Sequence, residues 1–161
     1  MPVRKLKEFL DQNKVKYVSI SHSAAYTAPE IAQRAHVSGR DLAKTVMVKL
    51  DGKMAMAVLS AADHVDVEKL ARAAHARKAQ LASEGEFKAL FGECEIGAMP
   101  PFGNLYGMKV FVSSRLAADE EIAFNAGSHT ELLKLTYADF ERLVKPAVAD
   151  FAVEAGEPAH R

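Results

Sequence analysis

Residues 44–60 read KTVMVKLDGKMAMAVLS, and the two halves of this stretch decide the class of fold. From Lys44 to Leu50 the side chains alternate, with Val46, Val48 and Leu50 on one face and Thr45, Met47 and Lys49 on the other. Asp51-Gly52 then supplies the two left-handed backbone positions of a tight hairpin turn, and Lys53 to Ser60 returns as the second strand. Outward from this hairpin, strand and helix signals mix. Residues 16–21 alternate as a short strand, with Val18 and Ile20 on one face. Residues 108–113, 121–125 and 131–135 read as three more strands. Helices are expected near the N-terminus (Leu6, Phe9, Leu10), from Thr27 to about His36, from Asp66 to Ala74, from Ser83 to about Gly92, and after Thr136 until Pro146. Thr27/Glu30 and Ser83/Glu86 have the spacing of capping boxes. No regular strand–helix–strand alternation is visible, so the pattern favours an α+β domain with a largely antiparallel sheet over a doubly wound parallel one.

The chain has 161 residues, which favours one domain, expected over 1–150. The small, acidic, aperiodic stretch 151–161 reads as a flexible tail. Apolar residues make up 49% and charged residues 26%, the profile of a soluble globular protein. The single cysteine, Cys94, excludes an internal disulfide framework, and its neighbours Glu93 and Glu95 disfavour a thiolate nucleophile. Lysines and arginines equal aspartates and glutamates at 21 each. That balance excludes a basic coat gripping any nucleic acid by charge alone, though it leaves room for a local basic site. Residues 1–10 are charged and lack the apolar segment of a signal peptide, and no stretch is apolar enough to span a bilayer. A cytoplasmic location is expected, with no membrane partner and no DNA.

Phosphate-loop, zincin, nucleophile-elbow and dinucleotide fingerprints are all missing. The six histidines show no metal-ligand spacing, so neither metal nor other cofactor is expected. Three features could carry chemistry. Lys44 begins an otherwise apolar strand; it reads as a solvated strand-end lysine or as a point charge for one phosphate oxygen. Residues 97–107, GAMPPFGNLYG, cannot be regular structure. They make either a rigid turn or a preorganised wall of exposed peptide groups. Residues 125–130, NAGSHT, make either a hairpin turn or, through Gly127 and Ser128, a nest of N–H groups for a developing oxyanion. His129 is either exposed in that turn or a base. Arg72, His75, Arg77 and Lys78 form a basic cluster that is either a solvated face or a contact for RNA phosphates.

Taken together and in order, LAKTVMVK around Lys44, GAMPPFG and FNAGSHTELL resemble the YbaK/prolyl-tRNA-synthetase-associated editing domain family, over nearly the whole chain to about Val144. The resemblance implies a mixed, mostly antiparallel sheet curled into a partial barrel with surrounding helices. It also implies a free-standing deacylase that hydrolyses the ester of mischarged tRNA in trans, removing a small amino acid of the alanine, serine or threonine class. Lys44, Gly97, Pro101, Gly127, Ser128 and His129 would be the catalytic set, with Tyr26, Thr27, Met99 and Phe102 lining the amino-acid pocket. Arg72, Arg77 and Lys78 would touch the tRNA, and an aminoacyl-tRNA synthetase is a further implied partner. Two alternatives stand beside this one. One is a non-catalytic tRNA- or synthetase-binding module of the same fold. The other is a cysteinyl-tRNA deacylase, in which Gly-Ser is followed by arginine where this chain has His129.

Overall fold

A computed structural model describes residues 2–21, 30, 33, 41–88, 98–128 and 130–154. The hairpin forms as its sequence requires. β2 (Leu42–Leu50) and β3 (Lys53–Ser60) pair antiparallel in register from Ala43↔Ser60 to Leu50↔Lys53. Asp51 (φ 50°) and Gly52 (φ 85°) both take the left-handed conformation between them. Ahead of the hairpin lie α1 (Pro2–Gln12) and β1 (Val18–Ser21). After it come β4 (Asp63–Val65), α2 (Val67–Ala73), β5 (Ala79–Leu81) and α3 (Glu84–Phe87). The chain continues through a 3-10 turn (Gly103–Tyr106), β6 (Lys109–Ser113), α4 (Ser114–Ala117), β7 (Glu121–Asn125) and β8 (Glu131–Thr136). It ends with α5 (Tyr137–Val144), β9 (Ala147–Ala149) and β10 (Ala152–Glu154).

Local chemistry fixes the helix starts. The Asp66 carboxylate accepts from the N–H groups of Glu68 and Lys69, Thr136 Oγ1 accepts from Asp139 N–H, and Ser83 and Glu86 complete a reciprocal capping box. α5 ends at Lys145 in the left-handed conformation (φ 52°), just before Pro146.

The main sheet runs β1-β8-β7-β2-β3-β6-β9, with β5 also on β2, while β4 and β10 form a separate ribbon. The α+β class and the mixed sheet agree with expectation. β2·β3, β2·β5, β7·β8, β1·β8 and β4·β10 are antiparallel, but the inner joints β2·β7 and β3·β6 and the edge joint β6·β9 are parallel. Among the described strands the path is open, with β1 at one end and β9 at the other, and no pairing closes it into a barrel.

Both faces of the central strands are covered. Met47, Met56, Val58, Val110 and Val112 point to one core, packed with Leu6 and Leu10 of α1 and Phe140 of α5. Their neighbours Val48, Ala55, Ala57, Leu59 and Phe111 point to a second core with Leu70 of α2 and Phe151.

Two expectations change. Residues 151–154 are not a frayed tail: Phe151 is fully buried, its carbonyl accepts from Asp66 N–H at 2.7 Å, and β10 pairs with β4. One large side chain anchors a stretch whose average composition looked unstructured. Residues 103–106 make a regular 3-10 turn inside the loop expected to be irregular throughout. Tyr26 and Thr27 lie outside the described residues, as does the helix expected from Thr27 apart from Glu30 and Gln33, which are helical, and so does the expected end near Gly92 of the helix begun at Ser83. Among the described residues no helix is long and apolar enough to cross a membrane.

Candidate active site

Lys44 is the third residue of β2, half-buried. Parallel pairing sets Leu42 beside Ala123 and Ala43 beside Phe124. The parallel ladder stops there, one residue before Lys44 on β2 and one before Asn125 on β7. β7 ends at Asn125 and the chain enters the 125–130 turn, so Lys44 lies one residue beyond the strand pairing that leads to that turn. Its ammonium sits in partly apolar surroundings. Burial pulls it below the ordinary lysine range, and the Asp63 carboxylate acts in the opposite sense.

The turn is tied to the proline-containing loop by main chain. Gly127, at φ 100°, donates its N–H to the Ala98 carbonyl at 2.9 Å. Only glycine takes this backbone conformation cheaply. Ala126 N–H closes the turn on Glu131 O at 3.1 Å, and Thr130 N–H donates to Ser128 Oγ at 3.2 Å. The two loops are thus neighbours, and the strand carrying Lys44 pairs with the strand that leads into one of them.

Not every assigned role survives. The Gly127 N–H is occupied by Ala98, so it ties the loops instead of serving as an oxyanion donor. Ser128 Oγ lies 3.1 Å from Thr130 Oγ1 and accepts from the Thr130 amide, a local turn bond with no base in it. Phe102 is not a pocket wall. It is 0% exposed, with ring centroids 5.6 Å from both Phe124 and Phe140 and 6.2 Å from Phe9. Met99 is also a core residue, 5% exposed. The loop that carries them is folded under the sheet end, and Ala98, Pro100 and Pro101 are buried with them. Gly97 and His129 lie outside the described residues.

The basic cluster is elsewhere. Arg77 and Lys78 donate their N–H groups to the Asp51 carboxylate at 2.9–3.1 Å, at the hairpin tip. Those bonds hold the Asp51 carboxyl below its ordinary range. Leu50 is six residue steps along the strand from Lys44, about 20 Å. A cavity of about 510 Å³ opens at that far end, lined by Lys53, His75, Lys109 and Phe111 among others. Among the described residues no group of three metal-ligating side chains converges.

Sequence reasoning passes over Asp63. A lone aspartate just before a helix cap reads as turn polarity, yet it is 3% exposed and acts on Lys44. Its one signal is that β3 runs into it with no polar spacer beyond Ser60.

Residues 22–143 match the family model of the aminoacyl-tRNA editing domain. The chain belongs to that family. This editing domain is 28% identical over 153 residues to the multifunctional Ser/Thr-tRNA deacylase ProXp-y of Escherichia coli, covering 92% of this chain and 91% of the relative. It is 30% identical over 132 residues to a proline–tRNA ligase of Leuconostoc citreum, covering 78% of this chain but 22% of the ligase. In fold, the domain is similar to the crystal structure of a candidate trans-editing enzyme for prolyl-tRNA synthetase. There the TM-score is 0.80 at 21% identity, over 94% of this chain and 97% of the other.

Proposed function

We propose that this editing domain is a trans-acting aminoacyl-tRNA deacylase, cleaving the ester of tRNA mischarged with a small amino acid of the alanine, serine or threonine class. The observation that carries the reading is the joint at the sheet end. There the strand carrying Lys44 pairs with β7 up to Ala43↔Phe124, and the turn that follows β7 is bonded through Gly127 to the loop at Ala98.

The ester is already activated, so position and electrostatics suffice. Lys44 holds the 3′-terminal backbone or the substrate carbonyl, and holding the ester in place recovers several kcal/mol of barrier. Peptide groups of the 97–101 loop and Ser128 orient water and stabilise charge on the carbonyl oxygen, one such donor contributing about 3 kcal/mol. Water adds to the carbonyl carbon, the bond to the ribose oxygen breaks, and that oxygen takes a proton, releasing amino acid and free tRNA. The vicinal ribose hydroxyl assists, and His129 is the side chain nearest in sequence to serve as base. No cofactor is required.

Selection is steric, with Tyr26 and Thr27 as pocket wall, because apolar fit alone separates amino acids only about 10–200-fold per methylene. The serine/threonine activity of the Escherichia coli relative supports this size class. Arg72, Arg77 and Lys78, about 20 Å along the sheet, contact RNA backbone beyond the acceptor end. The match to a proline–tRNA ligase supports a synthetase as partner and hence action in the cytoplasm.

The test is a deacylation panel of alanyl-, seryl-, threonyl-, cysteinyl- and prolyl-tRNA with wild type and Lys44→Ala. Cleavage of a small aminoacyl ester is expected, lost in Lys44→Ala while the melting temperature is kept. Binding of tRNA without cleavage of any substrate would establish the non-catalytic module instead. Cleavage of cysteinyl-tRNA alone would establish the cysteinyl alternative.

A further inference from the structure

Val48, Ala55, Ala57, Leu59 and Phe111 share the sheet face on which α2 packs through Leu70. α2 has seven residues, a length of about 10 Å, and stops at Ala73. Past its end, toward the hairpin tip, the same face continues as a wall of the cavity of about 510 Å³.

Three basic side chains from three segments line that cavity. Lys109 pairs in register with Ala55, and Lys53 precedes Ala55 by two residues, so both lysines stand on the second-core face. Lys109 Nζ lies over the Phe111 ring, 5.1 Å from its centroid, which holds the ammonium against the wall. The third is His75, which follows α2 in the left-handed conformation (φ 55°). Its N–H donates to Arg72 O at 3.2 Å and Ala76 N–H donates to Ala71 O at 2.9 Å, the bonds of a Schellman motif. Glycine fills that position without steric cost, whereas a histidine strains the backbone and sets an imidazole on the cavity.

The acidic side chain of the lining, Asp51, is already engaged. Its carboxylate accepts from the Arg77 and Lys78 amides at 2.9–3.1 Å, and its own N–H donates to Lys78 O at 3.0 Å. Lys7, Lys49 and Arg115 have carboxylate partners in Glu131, Glu86 and Glu154. Lys53, His75 and Lys109 have none among the described residues. Lysines take a phosphate oxygen as point charges. The volume exceeds that of a lone phosphate, and Leu50 and Ala74 add an apolar wall for a sugar. Register also gives a direction. Lys44 lies opposite Leu59, so one face carries Lys44 at one end and the cavity at the other, about 20 Å away.

We propose that this cavity seats a backbone phosphate, with its ribose, of the tRNA whose charged 3′ end lies at Lys44, held by Lys53, His75 and Lys109. The choice of RNA rests on the deacylase reading; the basic cavity does not. The contact is made in a walled site beside Arg77 and Lys78 and not by their side chains alone.

The experiment measures binding of uncharged tRNA to the full chain by fluorescence anisotropy over a range of salt concentrations. Lys53→Gln and Lys109→Gln are each expected to weaken binding several-fold with the melting temperature kept. Each should flatten the slope of log affinity against log salt by about 0.7–0.9, the loss of one phosphate contact. His75→Gly is expected to weaken binding while raising the melting temperature, since glycine relieves the left-handed backbone. Lys16→Gln, at an exposed lysine ahead of β1, is the control and should leave the slope unchanged. In deacylation the cavity variants should raise KM for charged tRNA with kcat unchanged. They should cleave an aminoacyl ester of adenosine, too short to reach the cavity, as the wild type does. An unchanged slope in folded Lys53→Gln and Lys109→Gln overturns the proposal, as does wild-type affinity in His75→Gly or an equal loss in Lys16→Gln. AMP and inorganic phosphate are titrated in parallel by NMR. Affinity for either that falls in the variants while tRNA binding holds overturns the RNA assignment in favour of a free ligand. If the wild type cleaves no ester while the slopes still flatten, the deacylase reading falls and the RNA site stands.

Discussion

Replacing Phe102 by alanine separates two roles that the sequence leaves open, pocket wall and core. The ring is 0% exposed and lies within 5.6–6.2 Å of three other rings, two of them edge-on. A fully buried Phe→Ala change costs about 3–5 kcal/mol. The tilted and edge contacts, each about 0.5–1.5 kcal/mol beyond area burial, put this one in the upper half, about 4–5 kcal/mol. For a chain of this length that is a fall in melting temperature of about 10–15 °C. Phe102→Leu keeps most of the apolar volume and should lose about 1–2 kcal/mol. Urea unfolding followed by circular dichroism measures both. Deacylation by Phe102→Leu, assayed well below its melting point, should show an unchanged KM. A stability loss under about 1.5 kcal/mol for the alanine variant, accompanied by a raised KM, would refute the core assignment and return the ring to the cleft.

Three more outcomes follow from the same coordinates. Gly103→Ala would set a Cβ 2.6 Å from Val110 Cγ2 and 3.0 Å from the Met108 carbonyl oxygen, and the backbone atom cannot yield. A loss of about 1–3 kcal/mol in urea unfolding is expected. Phe151→Ala should cost about 3–5 kcal/mol in the same assay, whereas a frayed tail would register nothing. Glu86 is held down to about 2, chiefly by the Lys49 ammonium and then by the Ser83 N–H and hydroxyl, against an ordinary value of 4.5. Its contribution is therefore complete above pH 4.5 and lost as pH falls toward 2. Glu86→Gln should flatten that part of the stability–pH curve; an unchanged acid slope would show that the pair with Lys49 contributes nothing.

What was legible in the sequence is what is local. Asp51-Gly52 demands two left-handed residues and gets them, and Asp66, Ser83, Glu86 and Thr136 announce helix starts because a cap acts within three residues. The parallel joints are illegible because nothing near Ala43 specifies Phe124 as its neighbour. Three-residue strands such as β4, β9 and β10 are too short to show a period. Phe102 misleads for a physical reason: adjacent prolines and glycines read as a surface loop, but prolines cost nothing when buried if their missing donors need no partner. Of the candidate site, the lysine and the two loops could be named from residues alone. The bond that consumes the Gly127 amide could not, since it depends on which segments meet.

The pairing of Ala43 with Phe124 has a kinetic side. Joining strands separated by roughly eighty residues carries a closure entropy that a two-residue turn does not. Such long-range register slows folding. The β2–β3 hairpin can zip up within microseconds and carry Lys44 with it. The turn at Gly127 and its link to Ala98 must wait until the distant strand docks. A refolding chain should accordingly recover its far-ultraviolet signal before it recovers deacylation, because the last contacts made are those that join the two loops at the sheet end.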